Sequence, residues 1–237
     1  MLARAAWTPM ASSPRVKMCG IRSEHDLDVV VGAGVDAVGL ICGVDVYVSE
    51  DKLEPDAARR LALLVPPFVA VTLVTHFTDP DEILGLADFV GVDTIQLHGD
   101  VTPAQTARVY ARRAGRRVTQ RVHVTGEDAL AVARDVAGVC DAIHLDSRTP
   151  DRVGGTGHTH DWNISRRIVR AMAELRRPVI LSGGLTPANV AAAIAAVQPY
   201  AVDANSGVED DDGSKSADGA RAFVRTVRAQ TLAAAAD

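Results

Sequence analysis

The chain has 237 residues, of which 47% are hydrophobic and only 4% aromatic, so a large core must consist mainly of Ala, Val, Leu and Ile. This length falls within the roughly 200 to 250 residues of a single α/β barrel. The formal net charge of −5 and the dispersed Lys and Arg residues argue against nucleic-acid binding. No apolar run approaches the roughly 18 residues that span a bilayer, and no secretory signal is recognisable. We therefore expect a cytoplasmic protein that binds neither nucleic acid nor membranes.

Three cysteines, Cys19, Cys42 and Cys140, lie far apart and form no Cys-x-x-Cys pair. An odd number of isolated cysteines predicts neither a disulfide framework nor a zinc ribbon. We interpret Cys42 and Cys140 as inert buried thiols, the common state of cysteine side chains.

Short apolar runs alternate with helical patterns from Val16 onwards. Residues 1–14 have no clear period and are expected to form a loosely ordered leader, with one barrel domain over residues 15–237. Strands are predicted at 16–18, 36–41, 68–74, 93–97, 117–122, 140–145, 179–181 and 200–203. Helices are predicted at 23–31, 52–64, 79–87, 102–113, 126–136, 164–175, 187–197 and 218–232. Eight strands alternating with eight helices predict an α/β protein with a (β/α)₈ TIM barrel.

Polar residues follow the predicted strands at the ends where the loops of such a barrel converge. Asp146 ends the sixth strand and precedes a glycine-rich loop, and Cys19 follows the first strand. His76 and His98 follow the third and fourth strands. Because barrel enzymes place their chemistry at the carboxyl ends of the strands, we expect these side chains to line one mouth. The alternative for Asp146 is a carboxylate that only caps the next helix or turn.

Two glycine-containing turns follow the seventh and eighth predicted strands. They are Ser182-Gly183-Gly184 and Asn205-Ser206-Gly207. Barrels of this kind commonly bind a phosphate here, because glycine permits close approach of the backbone and helix N-termini present free N–H groups to the anion. A lone glycine pair is usually only a tight turn, but two of them at this place favour a phosphate site.

Six motifs, spread from Val16 to the last helix, carry a resemblance to a known family. They are Lys17-Met18-Cys19-Gly20-Ile21; Gln96-Leu97-His98-Gly99-Asp100; Leu145-Asp146-Ser147; Gly154-Gly155-Thr156-Gly157 with Asp161-Trp162; Gly183-Gly184-Leu185-Thr186-Pro187 with Asn189-Val190; and Val202-Asp203 with Ser206-Gly207-Val208-Glu209. With these motifs in this order, the chain resembles the N-(5'-phosphoribosyl)anthranilate isomerases of tryptophan biosynthesis.

The resemblance implies an intramolecular aldose-ketose isomerase that performs an Amadori rearrangement on a phosphorylated sugar-amine without a cofactor or metal. Cys19 matches the family's general base and Asp146 its general acid. The acid protonates the ring oxygen so that the sugar opens to an iminium, and the base then removes the proton from C2. The resemblance further implies that Gly183, Gly184, Ser206 and Gly207 bind phosphate. It also implies a set of substrate-binding residues, namely Lys17, Gln96, His98, Gly155 and Asp203.

The chain departs from the family pattern at the end of the site that holds the amine. Family members usually carry Ser-Pro-Arg after the second strand, and the arginine is expected to bind the anthranilate carboxylate, whereas this chain has Val44-Asp45-Val46. Neither Asp45 nor Val46 replaces the two parallel hydrogen bonds of an arginine. Arg22, Lys52 and Arg148 remain as alternative anchors, and the same chemistry on a different phosphoribosyl amine remains an alternative function.

Two further alternatives belong to other classes of function. His76, His98 and Asp146 at three strand ends are compatible with a metal-dependent sugar-phosphate epimerase, although this leaves Cys19 without a role. The second alternative is a non-catalytic binding protein on the same scaffold. The presence of both Cys19 and Asp146 argues against it. The acidic run 209–212 is expected to be a solvated loop rather than a metal site. The oligomeric state stays open.

Overall fold

A computed structural model of the chain describes residues 13–44, 51–149, 152–153 and 161–230. Its barrel strands are β1 Arg15–Met18, β2 Ala37–Ile41, β3 Ala70–Thr75, β4 Thr94–Leu97, β5 Arg117–His123, β6 Ala142–Asp146, β9 Val179–Leu181 and β10 Ala201–Ala204. They pair in parallel and close in the order β1-β10-β9-β6-β5-β4-β3-β2. The predicted (β/α)₈ barrel is confirmed.

A short antiparallel pair, β7 Arg148–Thr149 and β8 Arg152–Val153, follows β6 and is not part of the barrel. This pair was not predicted, because strands of two residues have no recognisable hydrophobic period.

Eight α-helices surround the barrel within the described residues. They are α1 Glu24–Ala33, α2 Pro55–Leu64, α3 Pro80–Val90, α4 Pro103–Arg112, α5 Ala129–Val136, α6 Trp162–Glu174, α7 Val190–Val197 and α8 Ala217–Arg228. Local signals account for several helix ends. Thr102 and Gln105 form a capping box at the start of α4, and α1 ends on Gly34, whose φ of 90° is left-handed. None of these helices is long and apolar enough to cross a membrane.

Three helices begin three residues later than predicted. Helix α2 begins at Pro55 rather than residue 52, because Leu53 donates its N–H to the Ile41 carbonyl at 2.8 Å and so extends alongside the end of β2. Helix α7 begins at Val190 because Asn189 is held in a turn, accepting the N–H of Thr186 and donating to the Gly184 carbonyl, each at 2.8 Å. Helix α5 begins at Ala129.

Both ends of the described chain lie at the amino-end face of the barrel. Arg228, the last residue of α8, donates to the carbonyl of Pro14 at 3.3 Å and to the Asp36 carboxylate at 2.7 Å. Pro14 and Asp36 directly precede β1 and β2, so α8 closes the circle of helices against the start of the first strand.

Candidate active site

Buried polar side chains occupy the inside of the barrel near its carboxyl end. Asp203 of β10 lies 3.2 Å from His144 of β6, so these two side chains meet over β9, which separates their strands. Arg121 of β5 is the register partner of His144, so its side chain also points inward. Gln96 of β4 is the register partner of Thr119, which shares a face with Arg121 because residues at i and i+2 lie on the same face of a strand. Barrel interiors are usually filled by branched apolar side chains; here charged and polar groups fill much of that space.

Cys19 lies directly after β1 and beside the ammonium group of Lys17. A Cβ built on Gly39 of β2 would be 2.8 Å from Cys19 Sγ and 2.9 Å from Lys17 Nζ. The thiol and the ammonium group therefore fit side by side because residue 39 has no side chain. Burial raises the pKa of the Cys19 thiol, and the charge of Lys17 opposes this effect. Lys17 is therefore the neighbouring group that most favours the thiolate, the form in which cysteine acts as a base.

Asp203 connects Lys17 with His144. Its Oδ2 atom accepts a hydrogen bond from Lys17 Nζ at 2.7 Å and faces His144 Nε2 at 3.2 Å. Burial by itself would raise the pKa of Asp203, but the two neighbouring groups outweigh it and hold the pKa below its usual value. Burial likewise opposes the charge of Lys17, yet Asp203 and Cys19 together raise the pKa of the ammonium group. The pair is thus ionised at neutral pH.

Asp146, the last residue of β6, lies on the same face as His144. Its Oδ1 atom accepts the backbone N–H of Ser147 at 2.8 Å, and its Oδ2 atom is 3.6 Å from His98 Nε2, beyond normal hydrogen-bonding distance. Burial raises the pKa of Asp146 against the opposing charges of His144 and Arg121. Because Oδ1 is occupied by an N–H donor, a proton on this carboxyl resides on Oδ2, where it can be donated.

Gln96 and His98 lie beside Asp146 rather than beside Cys19. Gln96 Nε2 is 3.3 Å from His98 Nδ1, and the rings of His98 and His76 are 4.9 Å apart. Burial lowers the pKa of His98 well below its usual value, assisted by the charge of Arg121. When the Gln96 amide donates a hydrogen bond to Nδ1 of a neutral His98, the ring proton must be on Nε2. This nitrogen atom faces the Asp146 carboxyl.

The two glycine turns form one continuous surface. A Cβ on Gly207 would overlap the carbonyl oxygen of Leu185, so the turn after β10 packs against the turn after β9. Gly183 and Gly184 have φ values of 92° and 64°, and neither donates its N–H to another described residue. A Cβ on Gly183 would overlap Ser147, whose N–H holds Asp146. The predicted phosphate turn thus borders the predicted acid.

A buried ammonium group shapes the loop after β10. Lys215 Nζ donates to Glu209 and to the Asn205 side chain, each at 2.6 Å, and Asn205 donates to Asp51 at 2.9 Å. Glu209 is therefore an ion-pair partner, so the acidic run 209–212 is not wholly the solvated loop that was expected. Lys215 was not predicted, because a lone lysine in a loop gives no signal of such a role.

The groups expected around the amine are only partly within the described residues. Val46 and Gly155 lie outside them, as does the side chain of Arg148. Arg22 pairs with Asp51 at 3.7 Å and donates to the Gly213 carbonyl, and its part as an alternative anchor stays a prediction. Among the described residues no group of three or more His, Cys, Asp or Glu side chains is arranged to hold a metal ion.

Comparisons with known proteins agree in family. The family model described as "N-(5'phosphoribosyl)anthranilate (PRA) isomerase" matches residues 16–226. A Haloferax volcanii protein named N-(5'-phosphoribosyl)anthranilate isomerase is 44% identical over 214 residues, covering 90% of this chain and 93% of the relative. A similarly named Natronomonas pharaonis protein is 43% identical over 210 residues, covering 89% and 96%.

Solved structures agree with these sequence matches. The crystal structure of phosphoribosyl anthranilate isomerase from Thermotoga maritima is 33% identical, with a TM-score of 0.79, and the match covers 92% of this chain and 100% of that one. A second isomerase structure is a complex with reduced 1-(o-carboxyphenylamino)-1-deoxyribulose 5-phosphate. It is 31% identical, with a TM-score of 0.75 and the same coverage.

Proposed function

Because the chain belongs to the N-(5'-phosphoribosyl)anthranilate isomerase family of tryptophan biosynthesis, we propose that it performs the family's Amadori rearrangement with Cys19 as general base and Asp146 as general acid. It is an isomerase acting on a phosphorylated substrate. The observation that supports these two roles is the placement of two buried groups: Asp146 keeps its Oδ2 atom clear of the Ser147 N–H that holds Oδ1, and Cys19 lies beside Lys17, whose charge opposes the burial that raises the pKa of the thiol.

Ring opening needs a proton on the furanose oxygen. Burial raises the pKa of Asp146 and so favours its protonated form, and the Ser147 N–H on Oδ1 leaves Oδ2 to carry the proton. When Oδ2 donates this proton, the C1–O bond breaks and the nitrogen lone pair forms the iminium. The charge left on Asp146 is stabilised by the Ser147 N–H and by the nearby Arg121. Gln96 and His98 act here as positioning residues of the acid.

Removal of the C2 proton needs a base on the other side of the sugar. The Cys19 thiolate takes this proton while the C–H electron pair forms the C1=C2 bond and neutralises the iminium. The substrate nitrogen is itself the electron acceptor, so ring opening and removal of the C2 proton need only one acid and one base. Lys17 stabilises the thiolate, and Gly39 leaves the space in which both groups meet.

The phosphate of the substrate is assigned to the surface formed by Gly183, Gly184, Ser206 and Gly207. The unengaged N–H groups of Gly183 and Gly184 point to an anion site there, because backbone donors suit phosphate oxygens. This surface borders Asp146 through the contact of Gly183 with Ser147. Binding the phosphate here therefore brings the sugar ring next to the acid.

The experiment replaces each of the two residues separately. Cys19→Ser and Asp146→Asn should each lower kcat for N-(5'-phosphoribosyl)anthranilate by about 10² or more, because general acid and base catalysis contribute that much. Both variants should still bind the reduced product analogue. Cys140→Ser is the matched control, since this buried thiol lies ahead of β6 at the opposite end of the barrel. Near-normal turnover in either variant would remove that residue from the mechanism, and loss of wild-type activity to a chelator would favour the metal-dependent alternative.

A further inference from the structure

The carboxylate of Asp203 has one oxygen that no described residue occupies. Oδ2 receives Lys17 and faces His144, whereas Oδ1 is buried without a hydrogen-bond partner within the described ranges. Leaving a buried acceptor unpaired is unfavourable. Asp203 is only 6% exposed, so a hydroxyl group of a bound sugar is a suitable donor for this oxygen.

Asp203 lies next to both proposed catalytic groups. Lys17 connects it with Cys19. On the other side, Val202 and Leu145 both pair with Leu181 of β9, so one residue later Asp203 and Asp146 lie on either side of Ser182. Two strand spacings separate their backbones by about 10 Å. A sugar between Cys19 and Asp146 therefore lies against Asp203, and the carbon that Cys19 deprotonates, C2, carries a hydroxyl.

We propose that Asp203 is a third catalytic residue, whose Oδ1 atom binds the C2 hydroxyl and takes its proton when the enolamine becomes the ketone. This inference rests on the roles proposed for Cys19 and Asp146. The Cys19 thiol, which holds the former C2 proton, donates it to C1, and the C1=C2 electron pair forms the new C–H bond. The O–H bond breaks at the same time, and its electron pair forms the C2=O bond.

The protons balance over one turnover. Asp146 has given one proton to the ring oxygen, Cys19 has moved one from C2 to C1, and Asp203 has taken one from the C2 hydroxyl. After product release Asp203 loses its proton to solvent and Asp146 regains one, which restores both groups.

A weakly basic carboxylate is sufficient for this step. Lys17 and His144 keep Asp203 ionised despite its burial, as their effect on its pKa indicates. Once C1 is protonated, the C2 hydroxyl is the conjugate acid of a ketone and is far more acidic than a carboxylic acid. The same two donors hold the carboxylate rigidly, with Oδ1 as its remaining acceptor.

The test follows the stereochemistry at C1 when the reaction is run in deuterium oxide and the product is reduced at once with borohydride. In the wild-type protein, any deuterium that enters C1 should occupy one of its two positions, because the ketone forms in the site. In Asp203→Asn the enolamine should escape and tautomerise in solution, so both positions should be labelled about equally. Asp203→Glu, which keeps the carboxylate, should label one position.

Thr119→Val is the matched control, since Thr119 is another buried polar residue of the interior and has no proposed catalytic part. It should label one position, and binding of the reduced product analogue verifies that each variant retains its site. Labelling of both positions by the wild type or by Asp203→Glu would overturn the inference, as would labelling of one position by Asp203→Asn. Failure of the wild type to isomerise the substrate would instead overturn the proposed function.

Discussion

Replacing Gly39 by alanine tests whether the space beside Cys19 is required for catalysis. The new Cβ would lie 2.8 Å from Cys19 Sγ, 2.9 Å from Lys17 Nζ and 3.1 Å from the α-carbon of Cys19. Optimal separations between carbon atoms are about 3.5 to 4.0 Å, so the thiol and the ammonium group must both move by up to about 1 Å. The third of these atoms belongs to the backbone, so rotation of side chains does not relieve the whole clash. Gly39 has no positive φ, so the alanine is strained only by these close approaches.

The displacement should be visible in kcat and in the reactivity of the thiol. A shift of about 1 Å in a reacting group can cost 10²-fold in rate, which is equivalent to about 2.7 kcal/mol. Overpacking should lower the free energy of unfolding by about 1 to 3 kcal/mol. The assay compares kcat, KM and the pH dependence of Cys19 alkylation. Gly85→Ala is the control, because no atom lies within 4 Å of its added Cβ. If Gly39→Ala kept wild-type kcat and alkylation, the role of the Lys17–Cys19 pair as the base would be refuted.

Two further predictions concern phosphate binding and stability at low pH. Gly184→Val should raise KM by about tenfold or more relative to Ser206→Ala, a difference on the order of 1.4 kcal/mol. The reason is that the valine side chain obstructs the backbone N–H donors and is strained at the φ of 64° that Gly184 adopts. Equal KM values in the two variants would place the phosphate elsewhere. Burial, with the charge of Arg121, lowers the pKa of His76 from 6.5 to about 4, so stability should be complete above pH 6.5 and decline towards pH 4. The decline has an upper limit of about 3 kcal/mol, reduced by the partial exposure of this ring. Urea unfolding of His76→Gln should show a flatter pH dependence, and an unchanged one would contradict this account.

The barrel was predictable because the sequence signals of its strands and helices are local. The contacts that displace two helix starts involve residues outside the predicted helices and were not predicted. The alternation of apolar runs with helical patterns identified all eight barrel strands, and Thr102 with Pro103 marked the start of α4 correctly. The start of α2 was misplaced because the contact of Leu53 with Ile41 has no local signature. The start of α7 was misplaced because the Asn189 side chain is captured by Gly184 and Thr186.

The sequence indicated where Cys19 and Asp146 lie, because each stands at the end of an apolar strand run, whereas their catalytic roles stay predictions. His144 and Arg121 were missed, although a signal was present. His144 precedes Asp146 by two residues and therefore shares its face, and Arg121 is its register partner on β5. Strand parity applied to the polar residues would have placed both inside the barrel. The pairing of His144 with Asp203 joins two strands that lie on either side of β9, and the spacing of residues along a single chain does not reveal it.

The contact between Arg228 and Pro14 has a consequence for protein engineering. Because the end of α8 meets the residue before β1 at the face opposite the mouth, a short linker from residue 230 to residue 13 would join the described ends without crossing the mouth. New termini can then be opened in a loop on that same face, such as the turn at Gly115 between α4 and β5, where an added Cβ has no atom within 4 Å. A circularly permuted chain of this kind would keep Cys19, Asp146 and Asp203 on their strands while changing the order in which those strands are synthesised.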